Sequence, residues 1–207
     1  MLWIIVVIVI IGIYFFIKYQ SIIAPKTSSS DISILPEQFI IVDIETTGLD
    51  PEKHEIIEIG AIKVNRDSNN HKTWTILIKP QKKVTKKITD ITGITPEMLE
   101  LEGHTLKEGI EGFLDFAGGL RLVAFNAPFD IAFLTKAAGQ FGKPINNPVS
   151  CALDMARRAW PGLKSYKLKE LAKQGNFDTT GMHRALADCR ISMSVYAAAA
   201  TKIRAIS

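Results

Sequence analysis

Residues 39–48 read FIIVDIETTG, and this stretch constrains the fold more than any other. In an extended chain Ile40, Val42 and Ile44 lie on one face and Phe39 and Ile41 on the other. A strand apolar on both faces suits the centre of a sheet covered on both sides. Into that strand the sequence places Asp43 and Glu45, two positions apart and therefore on the same face. Two carboxylates so placed repel each other unless a proton or a cation lies between them. The alternative is a polar strand end, and the Thr46-Thr47-Gly48 that follows suits a turn.

The pattern downstream supplies the rest of a layered domain. Glu55–Val64 and Lys72–Lys79 predict two more strands, separated by the turn-rich NRDSNNH, so the first three strands form an antiparallel meander. After Pro80 the periodicity turns helical through VTKKITDITG, TPEMLELEG and TLKEGIEGFLDFAGG. Leu120–Phe125 predicts a strand, Pro128–Phe141 a helix with proline in its first turn, and Val149–Leu153 a short strand. Helices follow over Ala152–Trp160, Lys167–Gln174 and Arg184–Lys202. The outline is an α/β domain, a mixed sheet with helices on its faces.

Composition is that of an ordinary globular chain: 207 residues, 47% hydrophobic and 22% charged. The net charge of +4 and a pI of about 9.0 permit a nucleic-acid partner without requiring one. Cys151 and Cys189 match no metal or redox spacing and read as free thiols of a reducing compartment. The local anomaly is Met1–Ile17, which carries no charged side chain. It lacks the basic start and cleavage site of a signal peptide, and it is apolar on every side, unlike an amphipathic core helix. Residues 1–24 therefore read as a single membrane anchor, with a signal peptide and an interfacial helix as alternatives. Lys18 and Lys26 follow the run and no basic residue precedes it, which puts the N-terminus outside and the domain on the cytoplasmic side. Residues 25–37 read as a linker and residues 38–207 as the folded domain.

Two further acids stand in unexpected places. Asp130, in FNAPFD, begins the helix after the strand LRLVAF; a favourable interaction with the helix dipole is the plain explanation. Asp188 shares a helical face with Ala185, Ile191, Ser192, Val195 and Ala199, a stripe that would face the sheet. A buried carboxylate in such a stripe must be paired or bind a cation. His183 precedes Asp188 by five residues, the wrong angle for the same face, and so belongs to the loop entering that helix.

Taken together, DIETTG at 43–48, N-x-x-F-D at 126–130 and H-x-x-x-x-D at 183–188 resemble the DnaQ-like 3′–5′ exonucleases of the DEDD type, histidine subclass. Gly93-Ile94-Thr95 is similar to the family's segment between its first and second motifs, and the resemblance covers residues 38–200. It implies a ribonuclease-H-like fold with a five-stranded mixed sheet and two divalent metal ions, Mg²⁺ or Mn²⁺. It also implies stepwise release of nucleoside 5′-monophosphates from the 3′ end of single-stranded nucleic acid, DNA being favoured. Asp43, Glu45, Asp130 and Asp188 match the metal-holding acids, with Asp43 bridging, and His183 matches the base that takes the proton of the attacking water. The chemistry agrees: hard cations want oxygen ligands, and an imidazole titrates near working pH. Thr46, Thr47, Gly48 and Leu49 resemble the residues that hold the last nucleotide, with Asn126 positioning the strand. Phe125 departs from the pattern, since many relatives carry histidine there.

Basic residues gather at Lys82, Lys83, Lys86 and Lys87, at Arg157–Arg158 and at Lys164, Lys167, Lys169 and Lys173. Solvated helix faces explain most of them; a phosphate track with Tyr166 as a stacking residue is the functional version. His54, His71 and His104 have no such context and read as surface residues. RNA as substrate, or an inactive module that binds nucleic-acid ends or a partner, are the competing readings. The second predicts damaged motifs, which this chain does not have. A polymerase would have to be a partner in trans.

Overall fold

The computed structural model describes residues 32–206, and the segment 1–24 read as a membrane anchor lies outside them. Among the described residues no helix is long and apolar enough to cross a membrane. The strands are β1 (Gln38–Thr46), β2 (Ile56–Asn65), β3 (Lys72–Leu77), β4 (Arg121–Ala124) and β5 (Val149–Cys151). The helices are α1 (Lys86–Thr92), α2 (Pro96–Glu102), α3 (Leu106–Ala117), α4 (Ala127–Gly139), α5 (Ala152–Ala159), α6 (Leu168–Gln174) and α7 (Ala185–Arg204). The sheet runs β3-β2-β1-β4-β5. Its β1–β2 and β2–β3 pairs are antiparallel, and β4 and β5 continue it in parallel. This is the mixed five-stranded sheet that the motifs imply.

β1 is central because both its faces are apolar. Ile40, Val42 and Ile44 pack against Ile110 and Phe113 of α3 and Phe133 and Leu134 of α4. Phe39 and Ile41 pack on the opposite face with Cys189 and Tyr196 of α7 and Ala152 of α5. Each fully buried aliphatic here contributes about 1.5–3 kcal/mol. Asp43 and Glu45 share the parity of Phe39 and Ile41, so both acids rise on the α7 side of the sheet.

Local sequence accounts for the element ends. Thr85, Thr95 and Thr105 each cap the helix that follows through their side-chain oxygens, and Thr105 forms a reciprocal capping box with Glu108. The second parallel strand is shorter than its sequence suggests: it stops at Cys151 because α5 begins at Ala152. In the segment read as linker, Leu35 is buried beside Phe39 and Ile41, and its carbonyl accepts a hydrogen bond from the Arg66 guanidinium.

Candidate active site

The sheet and α7 meet where β1 carries its acids. Asp43 stands opposite Gly60 in the β1–β2 register. A side chain at Gly60 would lie 2.6 Å from the backbone of Ala185 and Leu186, so glycine lets the start of α7 rest directly on β2. One turn further on, the Cys189 thiol donates to the Gly60 carbonyl at 3.2 Å. This close seating brings Asp188 down beside β1. Oxygens of Asp43, Glu45 and Asp188 come within 4.8 Å of one another, with Asp188 buried and the other two partly so.

Asp130 is the fourth acid. It is buried in the first turn of α4 and stands outside that triplet, yet its charge acts strongly on Asp43. Burial raises the Asp43 carboxyl well above its ordinary value, and Asp130, Asp188, Glu45 and Glu58 push it further. Glu45 is pushed up to about 8 by burial, then by Asp188 and Glu58, with Arg184 opposing. Asp130 rises to about 7 through burial, against backbone hydrogen bonds at Asp130 and Ile44. Asp188 rises for the same first reason, opposed by His183. Without a cation these carboxylates retain protons, because charging all of them in one partly dry space is unfavourable. Converging hard oxygen donors with excess negative charge fit a divalent cation of the Mg²⁺ or Mn²⁺ kind.

The remaining residues singled out in the sequence surround these acids. His183 is exposed in the loop before α7, with φ of 69°, and its backbone N–H donates to Asp188 Oδ1 at 3.3 Å. Beyond a register shift between Glu45 and Thr46, the chain turns through Thr46–Leu49. Thr46 is buried and its hydroxyl donates to the Gly48 carbonyl at 2.6 Å; Thr47 Oγ1 accepts from the Glu55 N–H at 3.0 Å. Leu49 is 82% exposed, an isolated apolar tip on this turn. A groove of about 600 Å³ has Asp43, Asp130 and Asp188 along it, Phe125 and Asn126 at one side and Arg157, Lys164 and Lys167 among its lining. These three basic residues line the same groove as the acids, Arg157 while paired with Asp154 at 3.0 Å, whereas Lys86 lies elsewhere in a surface ion pair with Asp90.

Two sequence expectations are refined and one ion pair is new. His54 is not a free surface residue: its ring occupies the space a Gly48 side chain would need, 2.5 Å from where a Cβ would stand, and so backs the turn. Tyr166 lines the groove, where its ring packs in the cluster with Leu171 and its hydroxyl donates to the Trp160 carbonyl at 2.6 Å, so the ring is held in place there. Glu58 and Arg184, not singled out in the sequence, form an ion pair at 2.7 Å beside Glu45. A single acid inside the apolar run IIEIGAIKV was the sign that something must pair with it.

Comparison with known proteins agrees with this architecture. The RNase T family model, described as Exonuclease, matches residues 40–196. The chain is 36% identical over 174 residues to DNA polymerase III subunit epsilon of Aquifex aeolicus, covering 84% of this chain and 85% of that protein. It is 34% identical over 180 residues to the PolC-type DNA polymerase III of Caldanaerobacter subterraneus, of which it spans only 13%. Among solved structures, E. coli Exonuclease I in complex with a dT13 oligonucleotide superposes with a TM-score of 0.72 at 19% identity, over 83% of this chain and 42% of that one. Exonuclease X in complex with 5′ overhanging duplex DNA gives 0.63 at 24%, over 82% and 93%. These two likenesses are likenesses of fold.

Proposed function

The chain belongs to the exonuclease family that the RNase T model describes, and on that premise we propose that it is a metal-dependent 3′–5′ exonuclease that shortens single-stranded DNA from its 3′ end. The observation that carries this reading is the convergence of Asp43, Glu45 and Asp188 within 4.8 Å, with Asp130 beside Asp43. Asp43, Glu45, Asp130 and Asp188 would hold two divalent cations, which would supply an activated water and neutralise charge on the leaving oxygen. His183 accepts the proton of the attacking water as its oxygen bonds to phosphorus; the bond to the 3′-oxygen breaks, and a nucleoside 5′-monophosphate departs. The Thr46–Leu49 turn takes the terminal nucleotide, with Gly48 permitting close approach and Leu49 lying against the base. Asn126, exposed at the groove, orients the strand.

That the relatives named above are DNA polymerase III proteins supports DNA as substrate and a polymerase as a partner in trans. The apolar run in residues 1–24 supports a single-pass tether, with Lys18 and Lys26 favouring a cytoplasmic domain. Recovery of the full-length chain in carbonate-washed membranes is expected; recovery in the soluble fraction would remove the tether.

The deciding experiment uses the full-length chain in detergent with Mg²⁺ or Mn²⁺ and 5′-labelled single strands of DNA and RNA. A ladder shortening from the 3′ end, with mononucleotide release, is expected, and Asp43→Ala should abolish it. No mononucleotide from either strand, or an Asp43→Ala variant as active as wild type, overturns the reading. Faster loss of RNA would transfer the substrate class to RNA.

A further inference from the structure

Glu58 is an acid in the midst of the acids, yet it is built differently from them. It is 2% exposed on β2, directly opposite Glu45 in the β1–β2 register, so the two carboxylates share a face. Its oxygens are already engaged. Oε1 accepts from Arg184 Nη2 at 2.7 Å and from Nε at 3.2 Å. Oε2 accepts from the same Nε at 3.2 Å and from the backbone N–H of Ala185 at 2.9 Å. A carboxylate so occupied is an anchor for residues 184 and 185, not a further cation ligand.

What it anchors is the backbone that carries His183. Arg184 is the N-cap of α7 and makes no side-chain cap, so the Ala185 N–H would be one of the helix's unpaired donors without Glu58. The residue before Arg184, His183, has φ of 69°, a left-handed conformation uncommon for non-glycine residues. Three consecutive residues are thus tied to the acidic floor: His183 by its N–H to Asp188, Arg184 by its guanidinium and Ala185 by its N–H to Glu58. The His183 side chain itself is exposed, so its aim is set by this backbone rather than by packing. The forked geometry matters, because a guanidinium making two contacts fixes direction as well as distance.

We infer that Glu58 and Arg184 are a positioning pair: they clamp the strained His183 backbone across the sheet so that its imidazole addresses the reacting water. The inference rests on the reading of His183 as the general base of an exonuclease. Neither residue is placed against the substrate or the reacting atoms; beyond the charge they add near Asp43 and Glu45, their part in the reaction runs through His183.

The test compares the full-length wild type with Glu58→Gln, Arg184→Lys, His183→Ala and the Glu58→Gln/His183→Ala double variant, on labelled single-stranded DNA with Mg²⁺. Glu58→Gln and Arg184→Lys should each lower kcat by about 10- to 100-fold with KM nearly unchanged, the effect of a small misplacement. In the His183→Ala background Glu58→Gln should cost less than about twofold, because residues acting as one unit are not additive. An equal loss in both backgrounds would overturn the pair as a positioning device for His183. Amide hydrogen exchange provides a readout free of activity: residues 182–185 should exchange faster in Glu58→Gln and Arg184→Lys while the rest of α7 stays protected. Unchanged exchange in that segment in both variants also overturns the inference. A wild type inactive on DNA and RNA overturns the exonuclease reading instead, and the exchange rates then decide alone whether the pair holds this backbone.

Discussion

The site's behaviour begins with single carboxyls whose charge is unwelcome where the fold puts them. Glu45 is pushed from 4.5 to about 8, and Asp130 from 3.8 to about 7. In the unfolded chain both lose their protons near the ordinary values, so between those values and 7–8 the folded protein holds more protons. Stability supplied by these groups is therefore complete at acid pH and is lost as pH rises through the folded values. Each unit of such a shift corresponds to about 1.4 kcal/mol. In EDTA the melting temperature should fall between about pH 5 and pH 8. Mg²⁺ or Mn²⁺ should restore it by an increment that grows with pH, since protons and cations compete for the same oxygens. A melting temperature in EDTA that is flat or rising over that range would contradict this account. At this scale Asp43, Glu45 and Asp188 stood out as acids in apolar patterns, whereas Asp130 and His183 stood out only through the motif resemblance. Arg184 was not, since an arginine beside a helix start looks solvated until its partner is known.

Among the elements, the contact between α7 and β2 sets the distance between Asp188 and the β1 acids. It depends on Gly60, where a methyl group would meet the Ala185 and Leu186 backbone at 2.6 Å. These are backbone atoms at the start of a helix held to the sheet by Glu58 and the Cys189 thiol, so they have little room to yield. Gly60→Ala should cost about 1–3 kcal/mol in urea unfolding, the usual penalty of overpacking. The same variant should lose nuclease activity at temperatures where it remains folded, because α7 carries Asp188 outward with it. An alanine variant with wild-type stability and rate would show that the seating is not close. The periodicity of α7 predicted its buried stripe, and Ala185, Asp188, Ile191, Ser192, Val195 and Ala199 are all buried. Which strand residue the stripe rests on was invisible, because periodicity fixes a face and not a neighbour.

At the scale of the whole molecule, the groove sets a basic lining against an acidic floor. Arg157 comes from α5, and Lys164 and Lys167 from the segment before α6, so one short stretch of sequence lines the groove whose acids come from β1, α4 and α7. On the reading proposed above, phosphates of a bound strand meet this lining while the scissile linkage reaches the acids. Replacing Lys164 and Lys167 together by alanine should raise KM and leave kcat nearly unchanged. The dependence of log KM on log salt should flatten by about 0.7 for each phosphate no longer neutralised. An unaltered salt dependence would assign these lysines to solvent, as their sequence context alone suggests.

The sequence by itself determined the sheet's central strand and the order of elements, and its motifs singled out the acids and His183. It could do so because hydrophobic period and motif spacing are local properties of the chain. Only the tertiary structure decided that Asp130 bears on Asp43 from outside the triplet, that His54 backs the Gly48 turn, and that Glu58 holds Arg184 across 126 residues. Those relations arise from register and from how closely one layer settles on another. They join residues with no sequence spacing in common, and only packing brings them together.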